Sequence, residues 1–389
     1  MTNREPRVLR VLQVGMTRNL GGIETYLIEQ FRHLDKSKIN YDFVNITGEY
    51  SICYEDEILV SGSKIFKVVS RHKNPLLHYW QWFNILLQNK GIYDVIVLNT
   101  NSLEYVFPLV LGKVFGIPVR VIHSHNSGFE NKQGLARRLL VRMNKKLLAW
   151  SANLRFACSN NAGNWMFDNQ FFHVIHNAID LKKYEFNKIV RDQIRYEENI
   201  NDKDLAIINI GRFTYQKNHS FVIDVFNELQ KKYTNVILLL VGKDDEFTPY
   251  LEDIKYKILE YGISDKVRFL GMREDVPKLM QAADICLMPS LFEGFGIVAI
   301  EAQAASLPIV VSDRFPEEIM VSDYIRVVSL EENAEYWASN IVKFIQKKRT
   351  NNQKVIENSG YEINKEIGRL IKLFEQEKKK RGKEEYSSE

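Results

Sequence analysis

The sequence predicts an α/β protein made of two Rossmann-like domains in tandem. Three observations carry that prediction. Short apolar runs alternate with amphipathic stretches through residues 1–181, a polar and charged segment follows at 182–203, and the alternation then restarts at 204. Strands that alternate with helical stretches belong to parallel sheets with crossover helices, the doubly wound arrangement.

The elements follow in order. Residues 8–14 are mostly apolar and read as a buried strand, and 22–34 reads as a helix. Strands are expected at 41–46 and 65–69, then a helix rich in aromatics at 76–88. A strand at 93–98, a helix at 103–115, a strand at 118–123, a helix over 135–150 and a strand at 154–157 complete the first domain. Segment 182–203 has little apolar periodicity and reads as a linker. The second domain, 204–360, begins with a strand at 205–210 and a helix at 218–231. Further strands are expected at 236–241, 267–270, 285–288 and 308–311, with helices between them. Residues 361–389 hold a closing helix, expected from 368, and a charged tail over 378–389 that is expected to fray.

Composition narrows the function classes. Of 389 residues, 45% are hydrophobic and 26% charged, which is ordinary globular usage and excludes a disordered chain. The 3 cysteines, Cys53, Cys158 and Cys286, are far apart, so a disulfide scaffold is excluded and reduced thiols in the cytoplasm are expected. No apolar run reaches the length of about 18 residues that suggests a bilayer span. The first residues lack the shape of a signal peptide. The net charge of +4 is unevenly placed. Residues 1–180 carry 21 Lys and Arg against 14 Asp and Glu, and the rest carry 32 against 35. A basic first half suits an anionic partner: nucleic acid, anionic lipid or a phosphorylated substrate. Neither half contains GxGxxG, so a dinucleotide-binding pair is not indicated.

Two segments carry chemistry. The first is Ser290-Leu291-Phe292-Glu293-Gly294-Phe295-Gly296-Ile297-Val298-Ala299-Ile300-Glu301, a strand end, a glycine-bearing loop and a helix start. Gly294 and Gly296 let the backbone approach a ligand, and free N–H groups at a helix start suit a phosphate. Glu293 in the loop and Glu301 on the helix can hold sugar hydroxyls; the plainer reading is a strand–helix turn with Glu301 at the surface. The second is Gly211-Arg212-Phe213-Thr214-Tyr215-Gln216-Lys217-Asn218, directly after the strand at 205–210. A guanidinium and an ammonium at the carboxyl end of a strand suit a diphosphate, where open α/β sheets bind ligands. The plainer reading is a solvated basic loop.

Together the two segments resemble family 4 of the retaining glycosyltransferases. Gly211-Arg212 with Lys217 is similar to that family's diphosphate-binding segment, and Glu293 with Glu301, seven residues between, to its paired glutamates. Gly21-Gly22-Ile23-Glu24 is similar to its glycine-rich loop, and His125-Asn126 to its histidine segment. Asn177-Ala178-Ile179-Asp180, leading to Phe186, resembles its Asn-Gly-x-Asp segment with alanine in place of glycine. Among subgroups the resemblance is to bacterial capsule and exopolysaccharide transferases.

The resemblance implies a GT-B fold: two Rossmann-like domains facing a central cleft, with the C-terminal helix returning to the first domain. It implies a retaining, metal-independent hexosyl transfer from a nucleotide sugar, a UDP-sugar, to a lipid-linked saccharide acceptor. Arg212 and Lys217 would neutralise the departing diphosphate. The backbone at Gly294, Phe295, Gly296 and Ile297 would grip the sugar and β-phosphate, and Glu301 the ribose. Glu293 and His125 would lie at the sugar, Gly21 and Gly22 at the phosphates, and residues 268–271 beside the base. No side chain is placed as a covalent nucleophile, so same-face attack is expected, with the leaving phosphate taking the acceptor proton. No cofactor besides the donor is expected. Gly242-Lys243-Asp244-Asp245-Glu246 departs from the family's usual loop. His123 and His125 could face one side like a metal pair, but two histidines without a third ligand are a weak zinc signal.

The stretch 131–150 carries Lys132, Arg137, Arg138, Arg142, Lys145 and Lys146 with no nearby acid after Glu130, and Leu139, Met143, Leu147 and Trp150 fall at helical spacing. It reads either as a core-facing stripe with a solvated back or as a peripheral anchor on an anionic membrane surface, at the inner face of the plasma membrane. Three other functions compete with glycosyl transfer: a sugar-nucleotide epimerase of the same fold, a non-catalytic nucleotide-sugar-binding subunit, and a nucleic-acid binder. The last has no reading motif, so no nucleic-acid partner is expected.

Overall fold

The computed structural model of the chain describes residues 8–18, 21–48, 50–126, 134–168, 170–244 and 249–387, with side chains as far as residue 382. The chain divides into two units, Met1–Ala178 with Ile363–Glu389, and Ile179–Glu362.

The first unit runs β1 (Leu9–Val14), α1 (Gly22–Arg32), β2 (Ile39–Asn45), α2 (Glu55–Val60), β3 (Ile65–Lys67), α3 (Pro75–Gln88), β4 (Val95–Thr100), α4 (Phe107–Val114), β5 (Val119–Ser124), α5 (Leu135–Ser151), β6 (Leu154–Ala157), α6 (Asn160–Phe167) and β7 (His173–Val174). Its strands pair in parallel in the order β3-β2-β1-β4-β5-β6-β7. Leu9, Val11, Val95, Val97, Val119 and Val121 are fully or almost fully buried, which is why these strands read as largely apolar.

The second unit holds α7 (Leu181–Tyr184), α8 (Lys188–Glu197), β8 (Leu205–Ile210), α9 (His219–Lys232), β9 (Val236–Val241), α10 (Tyr250–Glu260), β10 (Val267–Gly271), α11 (Val276–Ala282), β11 (Ile285–Met288), α12 (Ile297–Ala304), β12 (Ile309–Ser312), β13 (Ile325–Val328), α13 (Ala334–Phe344) and α14 (Gln353–Asn358). The parallel order is β10-β9-β8-β11-β12-β13. In each sheet the order reverses beside the first strand, between β1 and β4 and between β8 and β11. The carboxyl ends of those neighbours are where a doubly wound sheet leaves room for a ligand.

Three expectations need correction. Segment 182–203 is not a linker: α7 and α8 belong to the second unit, and α8 packs on α11. Besides the buried Ile194, its packed face is held by arginines. Arg191 Nη1 donates to the carbonyls of Gln281, Ala282 and Ala283 at 2.9 Å each, and Nη2 to Asp284 Oδ1 at 2.6 Å. Arg195 is buried and bonds Ala282 and Asp204. A reading based on apolar spacing cannot see such a face. The chain therefore passes between units at 178/179 and 362/363 rather than at 181 and 360. Finally, the charged end is helical: α15 (Ile363–Ser387) begins before residue 368 and continues through 378–387. Lys378 Nζ pairs with Asp94 Oδ1 at 2.7 Å, and Leu370 and Phe374 are buried in the first unit's core, so this helix does return to that unit.

Burial keeps three histidines neutral. Desolvation lowers His125 and His219 to about 3 and His123 well below its ordinary value. The unfolded chain takes up protons at these sites below about pH 6.5 while the folded chain does not, so stability is full above that pH and is lost as pH falls towards 3. Each such histidine contributes a loss on the order of 1.4 kcal/mol per pH unit in that window. Urea midpoints are expected to be level from pH 8 to 7 and to fall steadily from 6.5 to 4.5. A level midpoint through that lower range would mean these rings are protonated in the fold.

Candidate active site

The second unit builds one site from the loops after β8 and β11. Backbones crowd at its base: a Cβ on Gly242 would lie 1.9 Å from the Gly211 carbonyl oxygen, so the loop after β9 lies directly against Gly211. Residues 211–218 turn tightly and end at Asn218, whose positive φ of 56° starts α9. The two functional loops are tied together. Leu291 N donates to the Gln216 carbonyl at 2.8 Å, Gln216 Nε2 to the Phe292 carbonyl at 2.9 Å, and Asn218 Nδ2 to the Pro289 carbonyl at 3.1 Å.

That stitching brings the predicted charges together. Lys217 Nζ lies 2.5 Å from Glu293 Oε1, with the glutamate side chain 5% exposed and the lysine 17%. The lysine's methylenes cover Gly211, where a Cβ would sit 3.1 Å from Lys217 Cδ. Arg212, in the same loop, is exposed. Gly296 caps α12 with φ 79°, and a Cβ there would meet Phe315 Cε1 at 2.4 Å, so only glycine fits this entry to the helix. Phe295 is buried against Tyr361, leaving its backbone as the part able to meet a ligand. Gly294 and Ile297 flank it on the same turn. Glu301 is buried, not at the surface, and its Oε1 accepts from Tyr184 Oη at 2.7 Å.

Tyr184 was not legible as a site residue. Asp180 caps α7 through Lys182 N at 3.1 Å, and that short helix delivers Tyr184 one turn later. Tyr184 falls in the segment read as a linker, and nothing in the sequence names Glu301 as its partner. Of the base-flanking segment 268–271, Arg268 Nη2 donates to the Asn199 carbonyl at 3.0 Å. Asp245 and Glu246 of the divergent loop lie outside the described residues.

The first unit places the remaining predicted residues. Gly21 is extended and caps α1, and Gly22 has open space where a Cβ would stand. Thr17 is held by Glu24, whose Oε1 accepts from Thr17 N at 3.0 Å and Thr17 Oγ1 at 2.7 Å. His125 follows β5, with Nε2 3.0 Å from Asn99 Oδ1 and its ring 4.0 Å from that of His123. Among the described residues no group of three or more His, Cys, Asp or Glu is gathered as for a metal ion.

The basic helix α5 is oriented unlike a core helix. Leu139, Met143, Leu147 and Trp150 are exposed, while Asn144, Leu148 and Ser151 face inward. The stripe read as possible core packing thus lies outside, beside exposed Arg138, Arg142 and Lys146. Arg137 is paired with Glu104, and Lys145 with Asp168 at 2.6 Å, so these two are engaged within the chain. Lys132 lies outside the described residues. No described helix is long and apolar enough to cross a membrane.

Comparisons with known proteins agree with this geometry. The profile described as Glycosyltransferase Family 4 matches residues 20–183, and that described as Glycosyl transferases group 1 matches residues 190–363. A Bacillus subtilis protein named as glycosyltransferase EpsF is 29% identical over 384 residues, covering 96% of this chain and 97% of its own. An Escherichia coli UDP-Gal:alpha-D-GlcNAc-diphosphoundecaprenol alpha-1,3-galactosyltransferase is 23% identical over 239 residues, covering 58% of this chain and 59% of its own. The crystal structure of Anabaena HepE in complex with UDP-glucose superimposes with a TM-score of 0.74 at 20% identity, over 94% of this chain and 100% of that one. Two parallel doubly wound sheets are the GT-B fold, which the chain shares with HepE. The chain belongs to glycosyltransferase family 4, and its likeness extends to the transferases of exopolysaccharide and capsule assembly.

Proposed function

We propose that the chain is a retaining transferase that moves a hexosyl group from a UDP-sugar to a lipid-linked saccharide in capsule or exopolysaccharide synthesis. The observation that carries this reading is the Lys217–Glu293 pair at 2.5 Å, held between the strand-end loop bearing Arg212 and the amino end of α12. The UDP-glucose bound by HepE and the diphosphoundecaprenol named for the E. coli relative support the donor and acceptor classes.

In this reading Lys217 and Arg212 neutralise the diphosphate as it departs, and the backbone of Gly294, Phe295, Gly296 and Ile297 holds the β-phosphate and sugar. Glu301, oriented by Tyr184, takes the ribose hydroxyls. Glu293 and His125 meet the sugar, and Gly21 and Gly22 leave room for phosphate. The acceptor hydroxyl oxygen forms the new bond to the anomeric carbon on the face the phosphate leaves. The sugar–phosphate bond breaks with its electron pair on the β-phosphate, and that oxygen takes the hydroxyl proton. These two cations can supply charge neutralisation without a metal.

Thermal-shift screening with UDP, GDP and their sugars tests the donor class. A ligand present at 100 times its Kd stabilises by about 2.7 kcal/mol, and a clear shift with UDP is expected. No shift with any of them would remove the reading, and binding without transfer to any lipid-linked saccharide would make the chain a binding subunit. Tyr184→Phe should raise the donor KM about fivefold, the worth of roughly 1 kcal/mol, with little change in kcat. An unchanged KM would take Glu301 out of the nucleotide site.

The exposed face of α5 is proposed as a peripheral anchor on the anionic inner surface of the plasma membrane. Arg138, Arg142 and Lys146 would each contribute about 1 kcal/mol, with Leu139, Met143, Leu147 and Trp150 entering the interface. Sedimentation with anionic vesicles should fall with added salt and in the Arg138→Glu/Arg142→Glu double variant. Equal sedimentation with neutral vesicles would contradict the charge-based part.

A further inference from the structure

The carboxyl ends of three adjacent strands carry a buried polar relay that the proposed mechanism leaves unexplained. Gln13 is on β1, Asn99 on β4, and His125 directly follows β5; β1, β4 and β5 are neighbours in the sheet. Gln13 and Asn99 are each 3% exposed. Asn99 Nδ2 donates to Gln13 Oε1 at 3.0 Å and to the Val14 carbonyl at 3.1 Å. The chain closes tightly around it. Gly15 has φ 125°, and a Cβ there would lie 2.3 Å from the Asn99 carbonyl oxygen.

The Val14 carbonyl is an acceptor and nothing else, so the amide of Asn99 has one possible orientation. Its NH2 group faces Val14, and its Oδ1 faces His125 Nε2 at 3.0 Å. A carbonyl oxygen only accepts, so Nε2 must carry a proton. Burial keeps the ring neutral near pH 7, with its pKa lowered to about 3. A neutral imidazole with its proton on Nε2 has a bare lone pair on Nδ1. Among the described residues that buried Nδ1 has no hydrogen-bond partner. An unmet buried acceptor costs about 1–3 kcal/mol, which a donor from outside the chain would relieve.

We infer that Asn99, itself held by Gln13 and the Val14 carbonyl, is a positioning residue that fixes His125 as the Nε2–H tautomer, so that Nδ1 accepts a hydrogen bond from a hydroxyl of the transferred sugar. This rests on the reading that His125 meets the donor sugar, but the assignment of the tautomer does not. The relay makes His125 an acceptor towards the sugar rather than a proton donor.

Long-range proton–nitrogen NMR of the full chain with 15N-histidine tests this, His125 being identified by its loss in His125→Gln. The ligand-free wild type should show His125 protonated on Nε2 and bare on Nδ1 at pH 7. Asn99→Ala should mix the tautomers and lower donor kcat/KM about tenfold, a loss of about 1.4 kcal/mol, with UDP affinity unchanged. Asn99→Asp keeps an acceptor and should keep the tautomer. A wild-type ring protonated on Nδ1 would overturn the inference, and so would a folded Asn99→Ala with unaltered tautomer and kcat/KM. The wild-type spectrum decides even where a variant does not fold. UDP-glucose, UDP-galactose and UDP-N-acetylglucosamine are then compared with UDP. Whichever stabilises the chain should move the Nδ1 signal where UDP does not, and an unmoved signal would overturn the sugar contact. If none of the three stabilises the chain, the donor reading fails, while the ligand-free spectrum still decides the role of Asn99.

Discussion

Replacing Glu293 with alanine is expected to lower sugar transfer by about 10²- to 10³-fold, the size of a lost preorganised electrostatic contact at a reacting centre, while UDP binds as tightly as before or more tightly. The geometry dictates the opposite signs. Glu293 Oε1 is 2.5 Å from Lys217 Nζ, so the carboxylate holds the ammonium that the proposed mechanism gives to the diphosphate. Nucleotide binding must share or take over that cation, and removing the carboxylate removes the competitor. At the sugar, a carboxylate beside the anomeric centre stabilises the positive charge that develops as the phosphate leaves, and alanine cannot. Titration calorimetry with UDP and single-turnover transfer separate the two effects. Transfer at the wild-type rate would show that Glu293 does not meet the sugar, and a large loss of UDP affinity would show that it holds the nucleotide directly.

Arg212→Ala and Lys217→Ala should each weaken UDP binding by about 10- to 100-fold, since hydrogen bonds to charged groups are worth about 1.5–3 kcal/mol. The two are expected to differ in stability. Arg212 is exposed, so its removal should leave the melting temperature of the free chain nearly unchanged. Lys217 shields a largely buried carboxylate, and its loss should destabilise the free chain by about 1–3 kcal/mol. Lys217→Ala/Glu293→Ala should recover part of that stability but neither UDP affinity nor transfer. Unaltered UDP binding in both single variants would place the diphosphate elsewhere.

The residues proposed for the donor side can be read from the sequence because they are continuous in it and sit at strand ends. A strand, glycine, arginine and lysine in one segment, and glycine–helix–glutamate in another, can be read without tertiary information, and the switch between β8 and β11 then makes them neighbours. What stayed hidden depends on partners far apart in sequence. Residues 182–203 looked like a linker because Arg191 and Arg195 bind carbonyls instead of filling an apolar face. Tyr184 reaches Glu301 across 117 positions. The direction of α5 was ambiguous because an apolar stripe and a basic stripe have the same period whichever one faces inward. Strands β7 and β13 are short and half-exposed, with no strong run to announce them.

The most direct test of the central claim is a crystal structure of the chain with bound UDP. The β-phosphate is expected within hydrogen-bonding reach of Lys217 Nζ and the Arg212 guanidinium, at the backbone amides that begin α12, with the ribose on Glu301. UDP bound with its phosphates away from these groups, or held by the loop after β1 alone, would contradict it.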